Sequence, residues 1–180
     1  MKIYALRTTV QDEEAIVDFA DSGAVSSCLI YGRDNPAGLA VPLMAVAQHG
    51  YTRTNIVTTD YVSASVRIPI FSIRFRDLLG KRLSQELEFI PCLIKCENDS
   101  FPFFAGRTLK TLPLVDPGKS QYRKLASGTS ILLKAAYRDP PETGFLICRD
   151  VESRGRFVVS DEFRKLCGLY SLNIEFGAPV

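Results

Sequence analysis

The feature that most constrains the fold is a nine-residue motif that occurs twice, at 72–80 and at 160–168. The copies agree at five positions and share the pattern Ser-x-x-Phe-Arg-x-Leu-x-Gly. In such a segment the Ser hydroxyl caps a helix, Phe and Leu bury one face, and Gly permits a left-handed stop. An apolar run precedes each copy, and a Glu-Phe pair follows it in a returning run. The motif therefore predicts two related strand–helix–strand halves, with chance similarity as the alternative explanation in a chain this long.

The remaining apolar patterns predict mainly short strands separated by turns rich in Gly, Pro and Asp. The predicted strands lie at 2–9, 27–31, 39–46, 62–70, 87–96, 101–114 (a hinged pair), 131–137, 145–149, 156–159 and 172–176. The predicted helices are an acidic segment that begins near Asp12, the segment 72–83, and the segment 120–127. We therefore predict an α+β fold with a mostly antiparallel or mixed sheet and a few short helices, in one domain spanning 1–180. Its core is expected to contain Phe75, Leu78, Phe163 and Leu166, and Ser160 is expected to cap a helix.

The acidic segment is predicted to be an amphipathic helix that Asp12 caps and Gly23 ends. Its apolar face would consist of Ala15, Ile16, Phe19 and Ala20. Its outward face would carry the three carboxylates of Glu14, Asp18 and Asp21. A face of this kind is usually only solvated, and it could also meet a basic partner.

Charge and hydropathy exclude several classes of protein. The 22 Lys and Arg residues nearly balance the 20 Asp and Glu residues, so binding of nucleic acid through bulk charge is disfavoured. The local cluster of Arg74, Arg76, Lys81 and Arg82 is interpreted as a solvated helix face. The N-terminus lacks the apolar segment of a signal peptide, and no apolar run is long enough to span a membrane. We therefore expect a soluble, cytoplasmic protein that binds neither membranes nor nucleic acid.

The five cysteines predict reduced thiols rather than a disulfide framework. Their number is odd, and no export signal accompanies them. Cys92 and Cys96 lack the paired spacing of a zinc site, so no metal is expected. No glycine-rich nucleotide-binding motif occurs either, and no cofactor is expected.

Two residues are candidates for a catalytic role. His49 is the one histidine, so any dyad with a serine or a cysteine must use it. Cys96 lies beside Lys95, but the alternation from Cys92 to Cys96 equally suits a buried strand face. A catalytic partner within hydrogen-bond reach of either residue would favour an enzyme. We expect no catalytic residues, and keep an enzyme using His49 or Cys96 as the alternative.

Five segments together resemble family eleven of the polymorphic-toxin immunity proteins, a bacterial family formerly described as a domain of unknown function. They are Arg67–Leu79, Leu87–Pro91, Asp116–Tyr122, Arg156–Leu166 and Leu172–Phe176. The resemblance covers about two thirds of the chain, and its motifs are apolar and structural.

The resemblance implies a small cytoplasmic immunity protein that neutralises a cognate toxin by stoichiometric binding. The toxin would be encoded beside it, and no active site would be needed. The predicted toxin contacts are Glu14, Asp18 and Asp21, which could meet a basic, nuclease-like toxin. An adaptor subunit of a larger assembly is a further alternative, and it would differ in what co-purifies.

Overall fold

The computed structural model describes residues 2–10, 12, 15–33, 38–138 and 144–179. Within these ranges four helices are present. They are α1 (Ser22–Leu29), α2 (Arg53–Ile56), α3 (Ile73–Leu83) and α4 (Asp161–Leu169). Strands form the remaining regular structure. They are β1 (Ile3–Tyr4), β2 (Leu6–Arg7), β3 (Val17–Phe19), β4 (Leu43–Ala47), β5 (Tyr61–Ser63), β6 (Pro69–Ser72), β7 (Leu87–Cys96), β8 (Asp99–Thr108), β9 (Thr111–Leu112), β10 (Gln121–Lys124), β11 (Ser130–Lys134), β12 (Ile147–Asp150), β13 (Phe157–Ser160) and β14 (Glu175–Phe176). The predicted α+β class is confirmed.

The largest sheet has six strands in the order β3-β4-β7-β8-β6-β5. Its pairings are antiparallel except that between β4 and β7, so the sheet is mixed. Strands β7 and β8 form a hairpin that is paired along all ten residues, from Leu87 with Thr108 to Cys96 with Asp99. A two-residue turn closes the hairpin, and Glu97 in it has a φ of 56°, which suits the twist of paired strands.

The two faces of this sheet belong to two separate hydrophobic clusters. Ile70 on β6 packs with Ile94 on β7 and with Leu29 of α1 in the first cluster. Its neighbour Phe71 points the opposite way, into a second cluster with Phe75 of α3 and Phe163 of α4. Helices α3 and α4 therefore cover the β6 end of the second face.

Both copies of the duplicated motif adopt the predicted order of strand, capped helix and strand. Ser72 ends β6, and its Oγ accepts a hydrogen bond from the Phe75 amide at 3.0 Å. Ser160 ends β13, and its Oγ accepts from the Phe163 amide at 3.2 Å. The rings of Phe75 and Phe163 lie 5.9 Å apart. The two units thus pack their equivalent aromatic residues against each other.

The two caps differ in one respect, which predicts different costs of removal. Ser160→Ala should lower the free energy of unfolding by about 1 kcal/mol, the usual loss for a helix cap. The Ser72 hydroxyl also donates to the buried carboxylate of Asp60, so Ser72→Ala should cost about 1 kcal/mol more. Urea unfolding of both variants measures the difference. Equal losses would show that the bond to Asp60 adds nothing to stability.

The predicted glycine stops are wrong. Gly80 lies inside α3, which continues to Leu83, and Gly168 lies inside α4. The residue that takes the left-handed conformation after α4 is Ser171, with a φ of 50°. The Leu172 amide then donates to the carbonyl of Cys167 across this turn, closing the helix end.

The burial of Leu78 is also wrongly predicted, whereas Phe75, Phe163 and Leu166 are buried as expected. In α3 the buried stripe runs through Phe75, Leu79 and Leu83. At 3.6 residues per turn its centre lies roughly 100° from Leu78, whose side chain is 40% exposed. In α4 the buried residues are Phe163, Leu166 and Cys167, and none lies one turn after Cys167. The centre of the buried stripe of α4 therefore lies closer to Leu166 than the buried stripe of α3 lies to Leu78.

The predicted acidic helix is replaced by strand β3 followed by α1. Ala15, Val17 and Phe19 are buried while the residues between them are partly exposed, so the true period is two. Strand β3 pairs with β4, and Gly23 lies in the first turn of α1 rather than at a helix end. Pairing with a neighbouring strand has overridden a pattern compatible with a helix.

Strands β10 and β11 form a separate two-stranded ribbon, and β10 replaces the helix predicted at 120–127. Nearly every residue of the ribbon is exposed, including Tyr122, Ile131 and Leu133. From 117 to 138 the chain has five basic residues and no acidic one. A second, four-stranded sheet (β1-β13-β12-β9) lies against α4.

Candidate functional site

The most distinctive surface of the described structure is the part of the six-stranded sheet that α3 and α4 leave uncovered. We call it the open sheet face. It consists of Asp18 on β3, Met44 and Val46 on β4, Pro91, Leu93 and Lys95 on β7, and Pro102 on β8.

Strand register places these side chains side by side. Val46 lies opposite Asp18 on one side and beside Lys95 on the other. Leu93 lies between Met44 and Pro102. Because directly paired residues share a sheet face, the seven side chains form one continuous surface.

The open sheet face is apolar although it is accessible to solvent. Met44 is 47% exposed and Val46 is 43% exposed, while their neighbours Leu43 and Ala45 are buried in the first cluster. Pro91 and Pro102 are exposed as well, and Leu93 is partly exposed. Single exposed apolar residues are common, but a contiguous group on the centre of a sheet is typical of an interaction site.

A cation–π contact marks the limit of this surface towards α3. The guanidinium of Arg76 lies 4.5 Å from the ring centre of Phe104, which lies on β8 opposite Pro91. Together with Asp18 and Lys95, Arg76 places charged side chains of both signs beside the apolar centre, as in many protein interfaces.

The three residues predicted to contact a toxin do not form the predicted helix face. Glu14 lies outside the described residues. Asp21 is the N-cap of α1, and its carboxylate accepts a hydrogen bond from the Ala24 amide at 2.9 Å. Asp18 lies on β3 and contributes the acidic edge of the open sheet face. Of the two described residues, Asp18 is therefore associated with the candidate surface and Asp21 is not.

His49 has an acidic neighbour but an exposed position. Its Nε2 lies 3.4 Å from a carboxylate oxygen of Asp12, and its side chain is 88% exposed. The two residues line a wide depression with Tyr51, Thr52 and Asn55. The Tyr51 hydroxyl donates to Thr8, and the Thr52 hydroxyl caps α2, so both are engaged in structural contacts.

Cys96 is the other candidate catalytic residue, and its surroundings favour the protonated thiol. It is buried, and its Sγ donates to the carbonyl of Tyr51 at 3.7 Å. Burial, together with the negative charges of Glu97 and Asp99, raises the pKa of the Cys96 thiol. A nucleophilic cysteine needs the opposite environment, so this setting suits a structural residue.

The other four cysteines are also buried and free. Burial raises the pKa of Cys92 and of Cys167 to about 12 and raises that of Cys148 further. Across the described ranges no group of three or more His, Cys, Asp or Glu residues could hold a metal ion. None of the described helices is long and apolar enough to cross a membrane.

Comparison with known proteins adds no assignment. No protein-family model matches the chain, and no curated protein matches it either. The open sheet face and the sequence resemblance are therefore the two features that bear on function.

Proposed function

We propose that this protein is an immunity protein, which neutralises a cognate bacterial toxin by direct stoichiometric binding through the open sheet face. The observation that carries the proposal is the contiguous apolar surface around Met44, Val46 and Leu93 on a solvent-facing sheet. The sequence resemblance supplies the class of partner. In this proposal the protein acts in the cytoplasm and has no catalytic role.

The chemistry of the open sheet face suits a protein partner. Its centre is aliphatic, and its only two charged members are Asp18 and Lys95, one on each side of Val46. A nucleic acid would need several cationic groups to neutralise its phosphates, and this surface offers one. A protein partner with an apolar centre would exclude water from Met44 and Leu93, which is the main favourable contribution to binding.

The open sheet face is large enough for the central part of a protein interface but smaller than a whole interface. Strands about 4.8 Å apart make the surface roughly 14 Å wide from β3 to β8, and Pro91 to Lys95 adds roughly 13 Å along the strand. A specific complex buries about 800 Å² on each partner, so the surrounding charged side chains would complete the contact. In many interfaces most of the binding free energy comes from a central patch, which is surrounded by residues that contribute less.

The open sheet face is also rigid, which favours it over the exposed β10–β11 ribbon as the main contact. Its central strands belong to the fully paired β7–β8 hairpin, and its reverse side packs on the first cluster. Pre-formed surfaces lose less conformational entropy on binding. An isolated two-stranded ribbon such as β10–β11 is marginally stable in water and would lose more.

Co-expression with the toxin that the proposal places in the neighbouring reading frame tests the proposal. We expect cells that express the toxin domain alone to lose viability, and cells that also express this protein to grow. The two chains should then co-purify in a 1:1 ratio. Loss of viability in both cultures, with no complex on co-purification, would contradict the proposal.

The same experiment separates the two alternatives. An enzyme that destroys the toxin product through His49 would protect cells without a stable complex, and His49→Ala would abolish that protection. An adaptor subunit would co-purify with other proteins but would give no protection. Protection that survives His49→Ala, together with a stable complex, is the result expected of an immunity protein.

A further inference from the structure

Arg149 on β12 is a buried cation that has no acidic partner among the described residues. The Arg149 residue is 1% exposed. Nη1 donates to the carbonyl of Arg154 at 2.8 Å, and Nη2 donates to the carbonyl of Arg67 at 3.2 Å. The Nε group is buried without any hydrogen-bond acceptor.

No carboxylate of the described structure lies within ion-pair distance of this guanidinium. The carboxylate of the adjacent Asp150 forms other contacts. Its two oxygens accept hydrogen bonds from four backbone N–H groups, those of Leu114, Val115, Glu152 and Ser153. Burial lowers the pKa of Arg149 to about 10. A buried charge that lacks a counter-charge is costly, so an arrangement of this kind needs a compensating role.

A small cavity lies against the residues that hold Arg149. Its volume is about 260 Å³, and its lining includes Tyr61, Ser63, Arg67, Tyr137, Arg156 and Phe157. Arg149 touches this wall twice, through the carbonyl of Arg67 and through the ring of Phe157, whose centre is 5.5 Å from the guanidinium carbon. The buried cation therefore lies directly behind the cavity wall.

Among the described residues, the lining is rich in side chains that can donate hydrogen bonds and has no acidic side chain. It combines two arginines with two tyrosines and one serine. Neither Arg67 nor Arg156 has a carboxylate within ion-pair distance in the part of the chain that the structure describes. Arg67 also has a φ of 54°, an unusual conformation for a residue other than glycine, and this conformation accompanies its bond to Arg149.

We propose that this cavity binds a small oxyanion, with a phosphate group as the expected ligand. The charge of Arg149 behind the wall adds to that of Arg67 and Arg156 on the lining, so three cations act on a site that has no acidic side chain among its described residues. Their planar guanidinium groups match the oxygen geometry of phosphate, and hydroxyl groups can complete its coordination. The bound anion would supply the counter-charge that Arg149 lacks.

The size of the cavity restricts the ligand to a small one. Sites for drug-sized molecules occupy about 300–1,000 Å³, and this cavity falls below that range. A carboxylate offers two oxygens to the five donor side chains of the lining, whereas a phosphate offers three or four. Phosphate is therefore the better match, and a carboxylate is the second source of the same chemistry. The site is separate from the open sheet face and does not depend on the proposed function.

Calorimetric titration of the full chain with inorganic phosphate, at constant ionic strength, tests the site. We expect saturable 1:1 binding below about 10 mM, and about tenfold weaker binding for Arg67→Gln and for Arg156→Gln. Arg123→Gln, which removes an equal charge from the exposed ribbon, should bind phosphate like the unchanged protein. Arg67→Lys keeps the positive charge but loses the planar arrangement of guanidinium N–H donors. Its affinity for phosphate should therefore lie between that of Arg67→Gln and that of the unchanged protein.

Two controls make the result decisive. Each variant must unfold at the same temperature as the unchanged protein without phosphate, and a parallel titration uses acetate. Tighter binding of acetate than of phosphate would retain the oxyanion site and assign it to a carboxylate. Absence of saturable binding of both ions, or equal weakening by Arg123→Gln, would overturn the proposal.

Discussion

Asp60→Ala is expected to lower the free energy of unfolding by about 3 kcal/mol, because this carboxylate joins three separate segments of the chain. Asp60 precedes β5 and is 3% exposed. One oxygen accepts from the capping hydroxyl of Ser72, and the other accepts from the amide of Asn173 at 2.8 Å and from Arg74 at 3.0 Å. Hydrogen bonds to a buried charge each contribute about 1.5–3 kcal/mol.

The Arg74 contact contributes less to this loss of stability than the two other contacts. Its side chain is 52% exposed and can regain water when Asp60 is removed. Glu162→Ala is the matched control, because it removes a carboxylate whose ion pair with Arg82 is exposed on both sides. That change should cost less than about 1 kcal/mol. Urea unfolding that gives similar losses for the two variants would show that Asp60 is not a structural centre.

The second large effect is expected for Phe163→Ala, which should lower the free energy of unfolding by about 3–5 kcal/mol. Phe163 is fully buried, and its ring lies 5.9 Å from Phe75 and 6.4 Å from Phe176. Phe75 in turn stacks on Phe71 at 4.0 Å. Truncation would therefore leave a cavity where the two strand–helix–strand units meet.

Leu78→Ala provides the control for this cluster. Leu78 occupies the first motif at the position that Leu166 occupies in the second, but its side chain is 40% exposed. Its truncation should cost less than about 1 kcal/mol, whereas Leu166→Ala should cost about 2–4 kcal/mol. Thermal or urea unfolding measures all three variants. A loss at Leu78 as large as that at Leu166 would contradict the assigned packing of α3.

The parts of the fold that the sequence predicts well are those in which local signals agree. The strand at 87–96 has the bounds of β7, and the helix at 72–83 corresponds to α3 with its Ser72 cap. In both segments the apolar period and the terminal residues indicate the same element. Agreement between independent local signals is what makes a segment predictable.

Two predictions fail where a partner strand decides the structure. The segment that contains Ala15, Val17 and Phe19 fits both a helical and an alternating pattern, and pairing with β4 selects the strand. Likewise, the 120–127 segment lacks a strong period, and pairing with β11 makes Gln121–Lys124 a strand. Pairing with a strand that is distant in the sequence cannot be predicted from the local apolar pattern.

The open sheet face could not be predicted for a related reason. Strand β4 is apolar at every position, so its sequence indicates burial on both faces. The two helices of the duplicated units cover only the β6 end of the sheet, which leaves Met44 and Val46 exposed. The sequence predicts the helices but not which strands they cover. The charge of Asp18 predicts a contact with a partner, and this residue reaches the surface through a strand rather than a helix.

The most direct test of the central claim is the affinity of the purified toxin domain for a variant with Met44→Lys and Val46→Lys. Both side chains are exposed, so the protein should fold normally, but two desolvated ammonium groups should weaken binding about 100-fold or more. Leu169→Lys is the control, because it changes an apolar residue on α4 that is 73% exposed and is not part of the open sheet face. This variant should bind the toxin with an affinity within about threefold of the unchanged protein. Unchanged affinity of the double variant for the toxin would show that the open sheet face is not the binding surface.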